Sequence, residues 1–235
     1  MTELKKQRDL KDLSCLTNTW DEFTLDTCYD DLTQELVLKV EMPDDSWFAI
    51  GFGASMTDTD MIAWFHQKGR GFATDLWSTQ WGQPSTDAIQ NIREGEAPSY
   101  NSSTKMMTFV TRRPLDTGDS SQDFMVPLDE PMPMSYAYKK GGSAFEMHDF
   151  RSVWSLQLDS SGSLADGGLD EAELLRQPAF EEHGLWMWIA WFWVGLILLV
   201  TKRYAKKFWL PMHYLHALLG YFVLIATIVF MFKIV

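Results

Sequence analysis

Two patterns of hydrophobic and polar positions divide this 235-residue chain. From residue 19 to residue 159 the apolar positions come in short, alternating runs. Phe23-Thr24-Leu25 is one, and Glu35-Leu36-Val37-Leu38-Lys39-Val40 repeats with period two, as a half-buried strand does. Trp47-Phe48-Ala49-Ile50-Gly51-Phe52-Gly53 follows the turn signal Pro43-Asp44-Asp45. After the loop 54–60, Met61-Ile62-Ala63-Trp64-Phe65 predicts another strand. Further strands are expected near 106–111, 134–138 and 153–158. Lys68-Gly69, Gln83-Pro84, Thr117-Gly118 and Lys140-Gly141-Gly142 mark turns between them. Short strands at regular spacing, with no long amphipathic helix, predict a mainly β fold, a β-sandwich of immunoglobulin-like layered sheets.

Beyond residue 183 the pattern changes. Residues 185–200 carry no charge, Lys202-Arg203-Tyr204-Ala205-Lys206-Lys207 forms a basic bend, and 208–232 is again apolar. A helix needs roughly 20 apolar residues to cross a bilayer core. The second run has them, and the first reaches that length with its flanks, over 183–201. Residues 183–235 are therefore expected to form a two-helix transmembrane hairpin. Residues 1–18 read as a polar tail, short helix or disorder. Residues 160–182 read as a flexible acidic linker, with Ser160-Ser161-Gly162-Ser163 and Asp166-Gly167-Gly168, then a short acidic helix ended by Pro178.

Charge sharpens this division. All 32 acidic residues precede His183, whereas 5 of the 20 basic residues follow it, so the water-soluble part carries 15 − 32 = −17. Such a domain repels nucleic acid and anionic lipid surfaces and attracts cationic partners. The basic bend belongs on the cytoplasmic or matrix side by the positive-inside rule. The chain is thus expected to be a two-pass integral membrane protein with its soluble domain on the exoplasmic side. A plasma or secretory membrane and the mitochondrial inner membrane both fit. Asn101-Ser102-Ser103 is a glycosylation sequon compatible with that side. Met1–Lys11 shows no apolar core of a signal peptide. Cys15 and Cys28 flank the first strand and allow a disulfide, without CxxC-type metal spacing.

Two resemblances join these halves. His183-Gly184, Trp191, and Arg203-Tyr204, then Trp209-Leu210-Pro211-Met212-His213 with Gly220, resemble the first two core helices of cytochrome b561 domains. That family's core has four helices, and the glycine and proline usual in its first helix are replaced here by Phe192 and Leu196. The soluble part resembles a DOMON domain over residues 20–159. The match runs through Trp47-Phe48-Ala49-Ile50-Gly51-Phe52-Gly53 with Met56 and Asp60-Met61-Ile62, then Asp75-Leu76-Trp77-Ser78-Thr79 with Pro84 and Asp87. Arg113-Pro114-Leu115-Asp116-Thr117-Gly118-Asp119, Tyr136-Ala137 and Phe145-Glu146-Met147-His148 with Arg151 continue it in order.

The resemblance to DOMON–cytochrome b561 proteins implies a membrane-anchored electron carrier of the b-type haem kind. It implies ferric iron as a type of acceptor and ascorbate as a type of donor. Haem-binding DOMON domains ligate iron through a Met and a His at the positions of Met56 and His148. Met61 is the alternative thioether, and His66 reads as structural. In the hairpin the resemblance implies haem ligation by His183 and His213, with His216 as the alternative to His213. At 1.5 Å rise per residue, His183 and His213 lie at opposite membrane faces and belong to two different haems. Each then needs a second axial ligand from a second copy or another membrane subunit. Only with such helices is transmembrane oxidoreductase activity, of the ferric reductase type, expected. The competing expectation is a non-catalytic accessory subunit of a larger membrane complex. The pairs Asp58/Asp60 and Asp116/Asp119 offer oxygen donors for calcium or serve as local turn caps. Serine-hydrolase, zinc-protease, P-loop and dinucleotide motifs are absent from the sequence.

Overall fold

The computed structural model describes residues 8–67, 70–80, 82–142 and 146–169, together with Trp188 and Phe192. A 3-10 turn at Leu10–Asp12 precedes twelve strands. These are β1 (Cys15–Trp20), β2 (Phe23–Asp30), β3 (Glu35–Pro43), β4 (Trp47–Gly51), β5 (Thr59–Gln67) and β6 (Arg70–Ser78). They continue as β7 (Ser85–Thr86), β8 (Arg93–Asn101), β9 (Met106–Pro114), β10 (Pro131–Lys139), β11 (Phe150–Leu158) and β12 (Leu164–Asp166). All pairings are antiparallel. One sheet has the order β1-β2-β3-β9-β8 and the other β12-β11-β10-β4-β5-β6-β7. The mainly β sandwich expected from the alternation is the observed fold.

The period-two pattern explains the core. Phe23, Leu25, Leu36, Leu38, Val40, Met107 and Phe109 project from the five-stranded sheet. Phe48, Ile50, Ile62, Trp64, Tyr136, Tyr138, Leu156 and Leu158 meet them from the other. Trp20 stacks on Tyr136 at 4.0 Å and Phe23 on Tyr138 at 4.4 Å, geometry that adds to their burial. The buried indole Nε1 of Trp64 donates to Thr111 Oγ1 at 2.8 Å, a polar tie between the sheets through an otherwise apolar interior.

The edges and termini depart from the expected boundaries. The sandwich takes in residues 15–18, assigned to the tail, and Leu164–Asp166, assigned to the linker. The segment before β1 is not merely a polar tail. Leu10 and Leu13 pack on Cys28, Val37 and Val110 on the outer face of the five-stranded sheet. There Arg112 donates to Asp30 Oδ2 at 3.0 Å and to Arg8 O at 2.9 Å, so the acceptors of a buried charge are shared between β2 and the N-terminal segment. Cys15 and Cys28 are directly opposite in the β1–β2 ladder and form a disulfide.

The chain divides into two compact units, Met1–Leu174 and Leu175–Val235. In the second, Trp188 and Phe192 have helical backbone and stacked rings 5.4 Å apart. Among the described residues no helix is long and apolar enough to cross a membrane. The expected spans, with His183, His213 and His216, lie outside the described residues apart from Trp188 and Phe192.

Candidate functional site

Strand β4 turns Phe48 and Ile50 into the core and Trp47 and Ala49 to the opposite, outer face of the seven-stranded sheet. Register carries this alternation sideways. Ala137 of β10 lies beside Ala49, and Ala49 beside Ala63 of β5. Three methyl side chains therefore stand in a row across three strands. The row on one side is Lys139, Trp47, Phe65 and Phe72; the row on the other is Ser135, Gly51, Met61 and Leu76. At about 3.3 Å per residue these two rows lie roughly 13 Å apart. The result is an apolar strip whose small alanine centre forms a trough between larger rims; Trp47, Ala49, Met61, Ala63, Phe65 and Leu76 are all buried, so the strip is packed over and not open to solvent. Gly51 belongs to this surface, since a Cβ there would meet Ser135 Oγ at 2.5 Å and Thr59 Cγ2 at 3.0 Å.

Met56 sits in the loop joining β4 to β5, half-buried, and packs on the same outer-face cluster as Ala137. The loop is braced from within. Ser55 Oγ accepts from Thr57 N–H at 2.9 Å, and Thr59 Oγ1 donates to Ser55 O at 2.6 Å. Met61 lies in β5 on that face, between Gly51 and Leu76, and is buried. Its thioether is rooted in the wall of the trough, whereas that of Met56 comes from a loop beside it.

His148 lies in the segment leading into β11. The next residue pins that segment: Asp149 N–H donates to Tyr138 O at 2.9 Å, and its carboxylate accepts from Lys139 Nζ at 3.1 Å and Lys140 N–H at 3.2 Å. Half-buried His148 is held below its ordinary pKa by burial and by the charge of Arg151, so its imidazole is neutral at pH 7 and able to bind a metal. Arg151, whose charge acts on His148, is in register with Ala137. The Met56 loop leaves the C-terminal end of β4, and His148 enters near Lys139, the partner of Trp47 at the N-terminal end of β4. The two loops therefore rise from opposite ends of the trough. His66, by contrast, is buried and paired with Asp44, and its ring nitrogen and carboxylate oxygens of Asp44 and Asp45 lie within 4.8 Å of one another.

A second constellation, not foreseen from sequence, occupies the inner face. Asp60, Asp75 and Asp123 each offer a carboxylate oxygen, all within 4.8 Å of one another. Fully buried Arg113 donates to Asp60 Oδ2 and to Phe124 O, the latter at 2.8 Å, with its guanidinium 4.3 Å from the Phe52 ring centroid. Burial, outweighing Arg113, pushes the Asp60 carboxyl up to about 6. Burial and then the charge of Asp60 push Asp75 up to about 7. The Asp58/Asp60 pairing does not form: Asp58 is exposed in a turn at φ 47° and Asp60 points inward. Asp116 caps Gly118 N–H at 2.9 Å and Asp119 caps Ser121 N–H at 2.9 Å, as local turn caps do.

Comparison with known proteins agrees with this architecture. The DOMON domain profile matches residues 22–139. The cytochrome domain of Myriococcum thermophilum cellobiose dehydrogenase superposes with a TM-score of 0.50 at 13% identity, over 69% of this chain and 92% of that one. The cytochrome b domain of pyranose dehydrogenase from Coprinopsis cinerea gives 0.50 at 12% identity, over 64% and 84%. At such identities the shared property is the fold. No curated protein matches the sequence.

Proposed function

The chain belongs to the DOMON domain family, and on that premise we propose that it is a b-type haem electron-transfer protein, its sandwich binding haem between Met56 and His148 and its C-terminal hairpin anchoring it in a membrane. The observation that carries this reading is the alanine-floored trough, Ala137–Ala49–Ala63, with Met56 packed on its face and His148 beside its edge residue Arg151. A flat macrocycle needs such a surface, and larger side chains at those three positions would fill it. A haem held by Met56 and His148 would supply a low-spin iron that exchanges single electrons and is closed to substrate.

The chain's own residues supply the rest. Met56, a soft ligand, favours the ferrous state and so a raised potential. His148 needs no deprotonation at neutral pH. Trp47 and Phe65 wall the trough with apolar surface that excludes water, and Asp149 fixes the backbone that presents His148. The disulfide supports an oxidising, exoplasmic location for the sandwich, consistent with the basic bend on the cytoplasmic or matrix side. His183 and His213, or His216 in place of the latter, would serve membrane haems only with ligands from a second copy or another subunit. Transmembrane reductase activity would depend on that assembly.

The test is the visible and near-infrared spectrum of the full chain produced with ample haem. The expected result is a low-spin spectrum with the thioether-to-iron charge-transfer band. Met56→Leu should abolish that band, and His148→Ala should remove the sandwich haem while the protein stays folded. A folded, haem-supplied protein without any haem spectrum would overturn the reading and leave an accessory membrane subunit.

A further inference from the structure

The inner-face carboxylates have no part in the haem site, and their arrangement calls for a ligand of its own. Strand register sets Ile62 opposite Asp75 and Asp60 opposite Trp77, so Asp60 and Asp75 project from neighbouring strands on one face. The β9–β10 connection brings Asp123 within reach of both, with carboxylate oxygens of all three inside 4.8 Å. One oxygen of each is already held. Asp75 Oδ2 accepts from Asn91 N–H at 3.1 Å, Asp123 Oδ2 from Asn91 Nδ2 at 2.6 Å, and Asp60 Oδ2 from Phe124 N–H at 3.1 Å.

The other oxygen of each is not. Among the described residues, Oδ1 of Asp60, Asp75 and Asp123 is buried and has no hydrogen-bond partner. Asp60 and Asp75 are wholly buried, and a buried unpaired carboxylate oxygen is costly. Charge tells the same story. Three carboxylates against the single guanidinium of Arg113 leave an excess of two negative charges.

We infer that Asp60, Asp75 and Asp123 form a binding site for one divalent hard cation, Ca2+ in preference to Mg2+. Two positive charges cancel the excess on the three carboxylates and Arg113, and cation–oxygen bonds satisfy the orphaned oxygens. All the donors are hard oxygens, with no imidazole or thiol that would select zinc or copper. Ca2+ accepts irregular, carboxylate-rich shells completed by water, whereas Mg2+ demands a near-ideal octahedron and gives up its own water reluctantly. Without the cation, those buried oxygens stay unpaired. Because the cluster fastens β5, β6 and the β9–β10 connection together, the cation acts as a clasp on one region of the sandwich.

The experiment uses the full chain stripped with EDTA, titrated with CaCl2 by calorimetry and melted with and without Ca2+. In parallel, Tb3+ luminescence is excited through tryptophan, since Trp77 lies opposite Asp60 in the ladder. One Ca2+ per chain is expected, with a melting rise of roughly 5–10 °C at a Ca2+ concentration a hundredfold above its Kd. Ca2+ should displace Tb3+ where equal Mg2+ does not. Asp75→Asn should weaken Ca2+ binding at least tenfold and lose the melting rise, yet melt in EDTA at or above the unaltered chain, because repulsion is relieved. Asp123→Asn should do the same if Asp75→Asn does not fold. The inference is overturned by the absence of stoichiometric binding, by a melting rise that persists in both variants, or by stability that follows pH identically in Ca2+ and in EDTA.

Discussion

Arg112 and Asp30 show how much one side chain can carry. Both are almost wholly buried on the outer face of the five-stranded sheet, and Glu35 lies 3.6 Å from the same guanidinium. Burial raises the Asp30 pKa, but the hydrogen bonds from Arg112, Arg8 and Leu32 outweigh it and hold the carboxyl below its ordinary 3.8. Stability from this depressed pKa is full above about pH 3.8 and is lost as pH falls through the lower folded value. Arg112→Met leaves a buried carboxylate without its guanidinium, a change that costs about 3–5 kcal/mol. Urea denaturation at pH 7 should show that loss, and the acid unfolding midpoint should move to higher pH; an unchanged midpoint would contradict the pairing. Residues of this kind divide by how their partners are distributed in sequence. Met56 and His148 were singled out from sequence because each lies within a local motif that resembles the DOMON pattern. Asp60, Asp75 and Asp123 were not, because the residues that meet come from three separate segments and none is unusual alone. Only register and the β9–β10 connection bring them together.

The strands read most clearly from sequence are those that turn every second residue into the shared core. β3, β4, β5, β9, β10 and β11 each alternate into a shared core, so their hydrophobic period is strong. β1 and β8 lie at the edges of the five-stranded sheet; β8 is exposed over most of its length, and β1 sets only Leu16 and Trp20 against the core. β8 carries Glu94, Gly95, Glu96 and Pro98 with two register shifts, devices that make an edge a poor template for further pairing. The alanines of the trough were also present in the pattern, as small residues in the outward phase of β4, β5 and β10. Their significance needed the register that aligns them. At the β1 edge the disulfide compensates for sparse packing. The cysteines are 13 residues apart, and cross-links closing loops of that size stabilise by about 3 kcal/mol in the chain-entropy account. Cys15→Ser should lower the unfolding free energy by about 2–3 kcal/mol, and dithiothreitol should bring the unaltered protein to the same midpoint. A variant as stable as the parent under oxidising conditions would show that β1 is held by its ladder alone.

As a whole, the sandwich separates two chemistries by the thickness of one sheet. The outer face of the seven-stranded sheet carries the buried apolar cluster of Trp47, Ala49, Met61, Ala63 and Phe65 with Met56 packed on it, and the inner face of the same sheet gathers carboxylates around Arg113. This sets opposing pH effects. Asp60 and Asp75 have folded values of about 6 and about 7, above their ordinary 3.8, so the folded state holds protons that the unfolded state releases in that window. Their contribution is therefore largest near pH 4 and is lost as pH rises through 6 and 7. Melting of the full chain in EDTA should fall across that interval, and saturating Ca2+ should flatten the slope; a flat profile in EDTA would contradict burial of two carboxyls. The division of charge between acidic residues 1–182 and basic residues 183–235 was plain from composition. The place of the proposed haem was not, since the sequence indicates it only through Met56 and His148. The most direct measurement is a reduced-minus-oxidised visible spectrum of the full chain, with a pyridine haemochrome assay for haem per chain. The account predicts at least one b-type haem per chain, with one lost in His148→Ala. A folded, fully haem-supplied protein with none would contradict it.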